Sequence, residues 1–162
     1  MKIVDNEYSM RMDLTDFTTP PGCTEIGNCA FFKCQNLNRI VIGDGVETIG
    51  TNAFYKCVGL RSVYIPDSVY EIPIECFHRC FNLENVRLPM NLRKIDFLAF
   101  DSCYELKSMD FPESLEEIKY NAFSNCISLS KIRIKGELYR RILPDFDKIF
   151  TYCDNLKEIE EF

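Results

Sequence analysis

Apolar residues recur along this chain at a nearly fixed interval of 23 residues. We call the residues at equivalent positions in successive units a column. The phenylalanine column is Phe31, Phe54, Phe77, Phe100 and Phe123, with Phe150 following after 27 residues. Three residues later comes a cysteine column: Cys34, Cys57, Cys80, Cys103, Cys126 and Cys153. The next two steps of three give a leucine column (Leu37, Leu60, Leu83, Leu106, Leu129, Leu156) and an aliphatic column (Ile40, Val63, Val86, Met109, Ile132, Ile159). Such a period is typical of a solenoid, in which each unit buries its apolar face by stacking on the next.

One unit, taken from Ala53 to Ile72, predicts the local structure of the others. The stretch from Ala53 to Cys57 carries apolar residues at helix-like spacing and predicts about one turn of helix. Leu60, Val63 and Ile65 follow at the spacing of a short buried strand, which Pro66 ends because proline cannot donate to a ladder. Val69 and Ile72 then return the chain along the other side of the coil. We therefore expect strands of successive units to lie in parallel, about 4.8 Å apart.

Two motifs in this unit are similar to a known repeat class. Leu60-x-x-Val63-x-Ile65-Pro66-x-x-Val69-x-x-Ile72 and Ala53-Phe54-x-x-Cys57 resemble the BspA-like leucine-rich repeat, over residues 23–162. The resemblance implies an α/β leucine-rich repeat solenoid, a curved right-handed superhelix of about six repeats with a parallel sheet on its concave face. It also implies binding of other macromolecules and no catalytic residues. Members are often bacterial or protist surface proteins with export signals, and we expect no such signal in this chain.

The regularity of the units predicts three parts of one continuous domain. Residues 1–22 form a degenerate N-terminal capping repeat, in which Tyr8, Leu14 and Phe17 fall on the apolar columns and Arg11 replaces the cysteine. Residues 23–137 hold the regular repeats. Residues 138–162 form an irregular last repeat and cap, where we expect a longer helix starting at Pro144-Asp145.

Composition narrows the classes of partner. The chain has 162 residues and a net charge of −6, which disfavours nucleic acid and anionic membrane surfaces as partners. No apolar run reaches the roughly 18 residues needed to span a bilayer. Acidic residues near the N-terminus do not resemble a signal peptide, so we expect a cytoplasmic protein, or a surface or secreted one if the chain is a fragment.

The cysteines and the single histidine are the main candidates for chemistry. Six of nine cysteines share one column, which favours buried thiols acting as small apolar groups over disulfides or a metal site. Only His78, between Cys76 and Cys80, could add an imidazole, and alternation predicts that it faces solvent. There is no Gly-rich phosphate loop and no Gly-x-Ser-x-Gly motif. We expect no enzyme and no cofactor, unless one site gathers His78 or a thiol with carboxylates.

Two columns are candidate partner-binding surfaces. The first lies on the predicted sheet face, where Tyr64, Arg87, Asp110 and Arg133 follow the aliphatic column and point outward. Tyrosine and arginine are favoured at interface hot spots, and an arginine can pair bidentately with a carboxylate of the partner. The alternative is an ordinary solvated face of mixed charge.

The second candidate is an apolar stripe after the return strand, formed by Ile74, Phe97 and Tyr120. Contiguous exposed apolar patches usually mark contacts. The alternative is that this corner packs inward against neighbouring loops.

These observations favour a protein-protein interaction module that acts as an adaptor, accessory subunit or inhibitor. A surface adhesin fragment that binds host protein or glycan is the second reading. An enzyme is a weaker alternative. So is a nucleic-acid binder, which would need Arg87, Lys107, Lys131 and Arg133 to cluster against the acidic total.

Overall fold

A computed structural model describes residues 1–162 as a stack of parallel coils. In chain order the strands are β1 (Lys2–Ile3), β2 (Asp16–Thr18), β3 (Glu25–Ile26), β4 (Arg39–Val41), β5 (Thr48–Ile49), β6 (Ser62–Tyr64), β7 (Glu71–Ile72), β8 (Asn85–Arg87), β9 (Lys94–Ile95), β10 (Ser108–Asp110), β11 (Glu117–Ile118), β12 (Lys131–Ile134) and β13 (Glu158–Glu161). Each regular coil contributes one strand of three or four residues and one return strand of two. The longest helix has seven residues, far fewer than the length that spans a bilayer.

The strands pair in the register that the 23-residue period predicts. Val63 of β6 lies opposite Ile40 of β4 and Val86 of β8, and every pairing is parallel. At the end of the chain the offset grows to 27 residues, where Ile132 pairs with Ile159. The predicted leucine-rich repeat solenoid is therefore confirmed.

The ladders on both sides of the coil are interrupted once. The longer strands pair in the order β2-β4-β6-β8 and again as β10-β12-β13, without pairing between β8 and β10. The return strands pair as β1-β3-β5 and as β7-β9-β11. Next to the first interruption, Val86 is only half-buried, whereas Val63 and Met109 in the same column are almost fully buried.

Stacked aromatic rings run through the centre of the coils. Tyr8, the phenylalanine column and Phe150 stack nearly parallel, with adjacent ring centroids 5.2–5.4 Å apart. The leucine column is buried in every regular coil, and one continuous core results. Since each ring contacts the rings above and below, one residue type repeated in register suffices to build this core. Phe17 pairs with Ile40, as expected for a worn first repeat, although the division at residue 22 stays a prediction.

The predicted helical turn of each unit is wrong. Residues 51–56 form consecutive β-turns, with positive φ at Asn52 (58°) and Lys56 (55°) that a right-handed helix excludes. The N–H of Phe54 donates to the carbonyl of Cys76 in the next coil, at 2.9 Å, instead of to the carbonyl four residues earlier as in an α-helix. The N–H groups of Asn52 and Lys56 likewise donate to the next coil, whereas the intervening N–H groups close turns three residues back, so no helical ladder forms.

The cysteine column completes this network. Each thiol lies 2.9–3.3 Å from the carbonyl oxygen 26 residues earlier, or 30 earlier for Cys153, and donates to it. A cysteine thus fills the space of a small apolar residue and also satisfies a buried carbonyl.

The last unit contains the only helices. Helix α1 spans Gly136–Ile142, a 3-10 turn spans Leu143–Asp145, and α2 spans Phe146–Ile149. A helix does begin after Pro144-Asp145, since Asp145 is the N-cap of α2, but α2 has only four residues. The sequence analysis missed α1, which begins eight residues before Pro144 and buries Leu138 and Ile142 against the core. The extra length is absorbed here, and Phe150 returns to the aromatic stack.

Candidate functional site

The four sheet-face residues lie in one outward column, as predicted. Tyr64 pairs with Arg87 across β6 and β8, and Asp110 pairs with Arg133 across β10 and β12. Tyr64 is 48% exposed, and the side chain of Asp110 is 71% exposed. Arg87 and Asp110 lie on either side of the interruption between β8 and β10.

Arg87 is already bound within the chain. Its guanidinium makes two contacts to the Asp67 carboxylate, one of them 3.1 Å between Nη2 and Oδ2. Nη1 also donates to the Ile65 carbonyl at 3.2 Å, and the group lies 4.8 Å from the centroid of the Tyr64 ring. Hydrogen bonds from Arg87 hold the pKa of Asp67 below its usual value. The structure thus presents Arg87 and Tyr64 as one fixed pair, and not as an unpaired cation awaiting a partner.

Arg133 is held in a similar way. Its Nη1 lies 3.2 Å from Asp110 Oδ1, its Nε lies 3.3 Å from Glu160 Oε1, and its guanidinium lies 4.0 Å from the Phe162 ring centroid. Lys107 and Lys131 also pair with glutamates. The basic residues of this face therefore form no unpaired cationic cluster, which is the feature that a nucleic-acid site would require.

A groove of about 930 Å³ joins three of the four predicted residues. It lies over the interruption in the ladder and is bordered by Arg87, Asp110 and Arg133. Apolar atoms come from Val86 and Phe111 and from two exposed side chains, Met90 (68%) and Phe162 (39%). The sequence analysis did not select Met90, although it interrupts a column that otherwise reads Asp44, Asp67 and Glu113.

The stripe after the return strand is solvent-exposed. Ile74 and Phe97 are each 41% exposed and Tyr120 is 45% exposed, so this corner does not pack inward. The Phe97 and Tyr120 rings meet edge to face at 6.4 Å. A groove of about 530 Å³ beside these two rings is closed by Arg141, Ile142 and Asp145 of the last unit, and Ile74 lies outside it.

A further apolar ladder, half-buried in its first two coils and exposed in its last two, follows the cysteine column. Val58, Phe81, Tyr104 and Ile127 occupy equivalent positions in four successive coils, and we call them the post-cysteine ladder. The Phe81 and Tyr104 rings stack at 4.8 Å, and Tyr104 and Ile127 are 37% and 50% exposed. The signal was present in the sequence as an apolar residue directly after each central cysteine.

The prediction that His78 faces solvent is wrong. Its side chain is 12% exposed, with Nε2 2.8 Å from Asp101 Oδ2 and Nδ1 3.5 Å from Glu75 Oε2. Strand-like alternation fails here because the residue lies within the turns of its coil. Burial of Asp101 raises its pKa, but hydrogen bonds from His78, Asn125 and Ser102 outweigh burial and leave the pKa below its usual value.

Burial makes four of the core thiols poorly suited to act as nucleophiles. Burial raises the pKa of Cys57, Cys76, Cys103 and Cys126 well above the usual range, and a protonated thiol is a poor nucleophile. No three His, Cys, Asp or Glu side chains converge in a way that could hold a metal ion.

Comparison with known proteins identifies the repeat. The family described as the BspA type leucine rich repeat region matches in six copies, over residues 1–130 and 70–161. No curated protein matches the chain.

Solved bacterial structures share the fold. A leucine-rich repeat protein from Bacteroides ovatus is 29% identical with a TM-score of 0.75, over 89% of this chain and 39% of that one. The Treponema pallidum leucine-rich repeat protein is 24% identical with a TM-score of 0.59, over 99% and 62%. The pneumococcal vaccine antigen PcpA is 15% identical with a TM-score of 0.53, over 99% and 59%. The chain thus spans less than two thirds of each of these structures, and the last two show similarity of fold alone. With six copies of the repeat and the register of its strands, this chain belongs to the BspA-type leucine-rich repeat family.

Proposed function

We propose that this chain is a non-catalytic protein-binding module, acting as an adaptor, accessory subunit or inhibitor, and that its main contact surface is the sheet face. The observation that carries the proposal is the groove over the interrupted ladder, where exposed Met90 and Phe162 lie beside the ion pairs of Arg87 and Arg133. Apolar side chains surrounded by fixed charges are typical of the centre and rim of an interface.

The fixed ion pairs support this role. An unpaired arginine on the surface would lose side-chain entropy when a partner ordered it. Arg87 is already held by Asp67 and Ile65, and Arg133 by Asp110 and Glu160. The face therefore presents a preorganised pattern of apolar and charged groups to a partner.

The experiment begins with capture of a partner from the source cells by the immobilised chain, followed by calorimetry of the recovered pair. The double variant Tyr64→Ala, Arg87→Ala should weaken binding by about 2 kcal/mol or more, the scale of hot-spot truncation. The matched control is Tyr70→Ala, Arg93→Ala, which removes the same residue types from an exposed site outside the groove. That control should bind like the unmodified chain.

The stripe provides the competing result. If Ile74→Ser with Phe97→Ser abolishes binding while the Tyr64 and Arg87 variant leaves it intact, the stripe is the interface and the sheet-face proposal is wrong. Circular dichroism and thermal melting of all three double variants verify that the fold is retained.

The cytoplasmic location stays a prediction. Fractionation of the source cells, with an antibody against the chain, should recover it with cytoplasmic proteins. Recovery with surface or secreted proteins would instead favour the adhesin reading.

A further inference from the structure

Three cations without a carboxylate partner lie in one column of an otherwise acidic chain. Of the 19 lysines and arginines, only six make no ion pair within 4.0 Å. Three of these six are Lys33, Lys56 and Arg79, at equivalent positions of consecutive coils. We call them the cationic ladder. It lies among the turns, outside both strand series and away from the groove on the sheet face.

The backbone of the cationic ladder is fixed between coils. The N–H groups of Lys33, Lys56 and Arg79 donate to the carbonyls of Tyr55, His78 and Asp101 in the next coil, at 2.7–2.8 Å. All three residues have positive φ, between 55° and 61°. Glycine or asparagine would adopt that conformation at lower cost, so the backbone does not explain the choice of long cations.

The nearby carboxylates are occupied by other groups. Glu75 accepts from Asn52 and lies beside His78, and Asp101 accepts from Ser102 and Asn125 and lies beside His78. Lys33 and Lys56 instead lie 4.9 Å and 5.5 Å from the ring centroids of Phe32 and Tyr55. The charges of the cationic ladder are therefore available to an external anion.

The spacing of the ladder matches one kind of acidic partner. The core rings of these three coils, Phe31, Phe54 and Phe77, lie 5.2 Å apart, so three consecutive coils span about 10 Å along the stack. Side chains at i, i+4 and i+7 of an α-helix share one face, are about 5–6 Å apart and span about 10.5 Å. Side chains on one face of an extended strand repeat at about 6.6–6.8 Å, so they fall out of register with the coils after fewer residues. A helix that lies along the stack therefore fits better than a strand.

The post-cysteine ladder extends the match. In two of the three coils a buried cysteine separates the cation from a half-buried apolar residue, Lys56 from Val58 and Arg79 from Phe81, whereas Gln35 follows the cysteine in the coil of Lys33. The row of apolar side chains thus begins beside Lys56 and continues past the row of charges through Tyr104 and Ile127. We propose that the cationic ladder and the post-cysteine ladder together bind an acidic amphipathic helix of a partner protein, at a surface separate from the sheet face.

The test uses a synthetic helical peptide as the probe. The peptide carries glutamates at i, i+4 and i+7 and leucines on the adjoining face, and its binding to the full chain is followed by fluorescence anisotropy. A second peptide has the same composition with its glutamates spread around the helix. The first peptide should bind about tenfold more tightly than the second, and its affinity should fall as salt is added, since exposed charges are screened.

A triple variant of the protein locates the site. Lys33→Gln, Lys56→Gln and Arg79→Gln should weaken binding of the first peptide about tenfold. The matched control removes the same charge from the three other cations without ion pairs, by Arg39→Gln, Arg141→Gln and Lys157→Gln, and should change affinity by less than about twofold. Since glutamine at positive φ could affect folding, a second triple variant uses asparagine, which tolerates that conformation.

Other results would overturn the proposal. Equal affinity of the two peptides, equal loss in both triple variants, or no binding of the first peptide each contradicts it. Tighter binding of inorganic polyphosphate or of a DNA duplex than of the first peptide would assign the ladder to a general polyanion. Since Tyr64 and Arg87 are unchanged in these variants, this outcome is independent of the test of the sheet face.

Discussion

At the scale of single residues, the buried Asp101 carboxylate connects three coils. It accepts hydrogen bonds from Ser102 of its own coil at 2.9 Å and from Asn125 of the next at 3.0 Å, and lies 2.8 Å from Nε2 of His78 in the previous one. A buried charge is retained at low cost only when such partners surround it. Asp101 therefore joins neighbouring coils through polar contacts among the turns, as the aromatic stack joins them through apolar contacts in the core.

This arrangement predicts a pH-dependent loss of stability in Asp101→Asn. Removing the charge should lower the free energy of unfolding by about 1–3 kcal/mol near neutral pH, because His78 loses a charged partner in a buried site. The pKa of Asp101 lies lower in the folded chain than the roughly 3.9 of an unfolded one. Its contribution is therefore present above about pH 4 and is lost as the pH falls through the folded pKa. Urea denaturation of both proteins at several pH values measures the difference.

An exposed carboxylate serves as the control for that measurement. Asp110→Asn removes the same charge from an ion pair whose carboxylate is 71% exposed, and should cost within about 0.5 kcal/mol. A loss in Asp101→Asn that persists undiminished well below pH 4 would contradict the assignment to the ionised carboxylate.

At the scale of elements, the interruption between β8 and β10 distinguishes otherwise equivalent strands. Each longer strand repeats the same outward and inward alternation, yet among the longer strands this junction alone lacks pairing. Its consequence is a half-buried Val86 and a groove beside it. The position of the candidate binding groove therefore follows the missing strand pairing more than the residue types of the strands.

Hydrogen exchange should reveal this interruption. In the parallel register, the N–H of Asp110 would donate to β8, whereas the N–H groups of Arg87 and Arg133 donate to paired strands. The amide of Asp110 should exchange about tenfold or more faster than those of Arg87 and Arg133, because its opening breaks no ladder bond. Amide exchange followed by NMR gives the three rates. Equal protection of all three would mean that the ladder is continuous in solution.

At the scale of the whole molecule, each coil contacts mainly its two neighbours. The aromatic stack, the backbone bonds between coils and the thiol bonds all join one coil to an adjacent one. Stability should therefore behave as a sum of unit terms and nearest-neighbour terms.

Pairs of mild core substitutions test this coupling. Phe54→Leu and Phe77→Leu alter rings 5.2 Å apart, and their effects on the free energy of unfolding should depart from additivity by about 0.5 kcal/mol or more. Phe54→Leu and Phe123→Leu alter coils that do not touch, and their effects should add within about 0.5 kcal/mol. Chemical denaturation of the unmodified chain, the three single variants and the two double variants gives both coupling energies. Similar coupling in the near and distant pairs would contradict a nearest-neighbour array.

The sequence by itself determined the stacking of the coils and the register of their strands. A period of 23 residues stacks the members of each column on one another. The apolar columns therefore fill the core whether the residues between them form helices, strands or turns. For this reason the pairing of Val63 with Val86 and the place of Phe150 after a longer spacing were predictable. The outward direction of Tyr64, Arg87, Asp110 and Arg133 followed from alternation within the strands.

Only the tertiary structure decided what happens between the strands and among the charges. The helical turn predicted for Ala53–Cys57 is wrong because alternate N–H groups of this segment donate to the next coil, which local spacing does not record. For the same reason His78 is buried against Asp101 from another coil, where strand alternation placed it in solvent. The ion pair of Arg87 with Asp67 and the interruption beside Val86 depend on distances between neighbouring coils. A regular repeat in the sequence predicts the same distance at every junction, whereas in the folded chain the junctions differ.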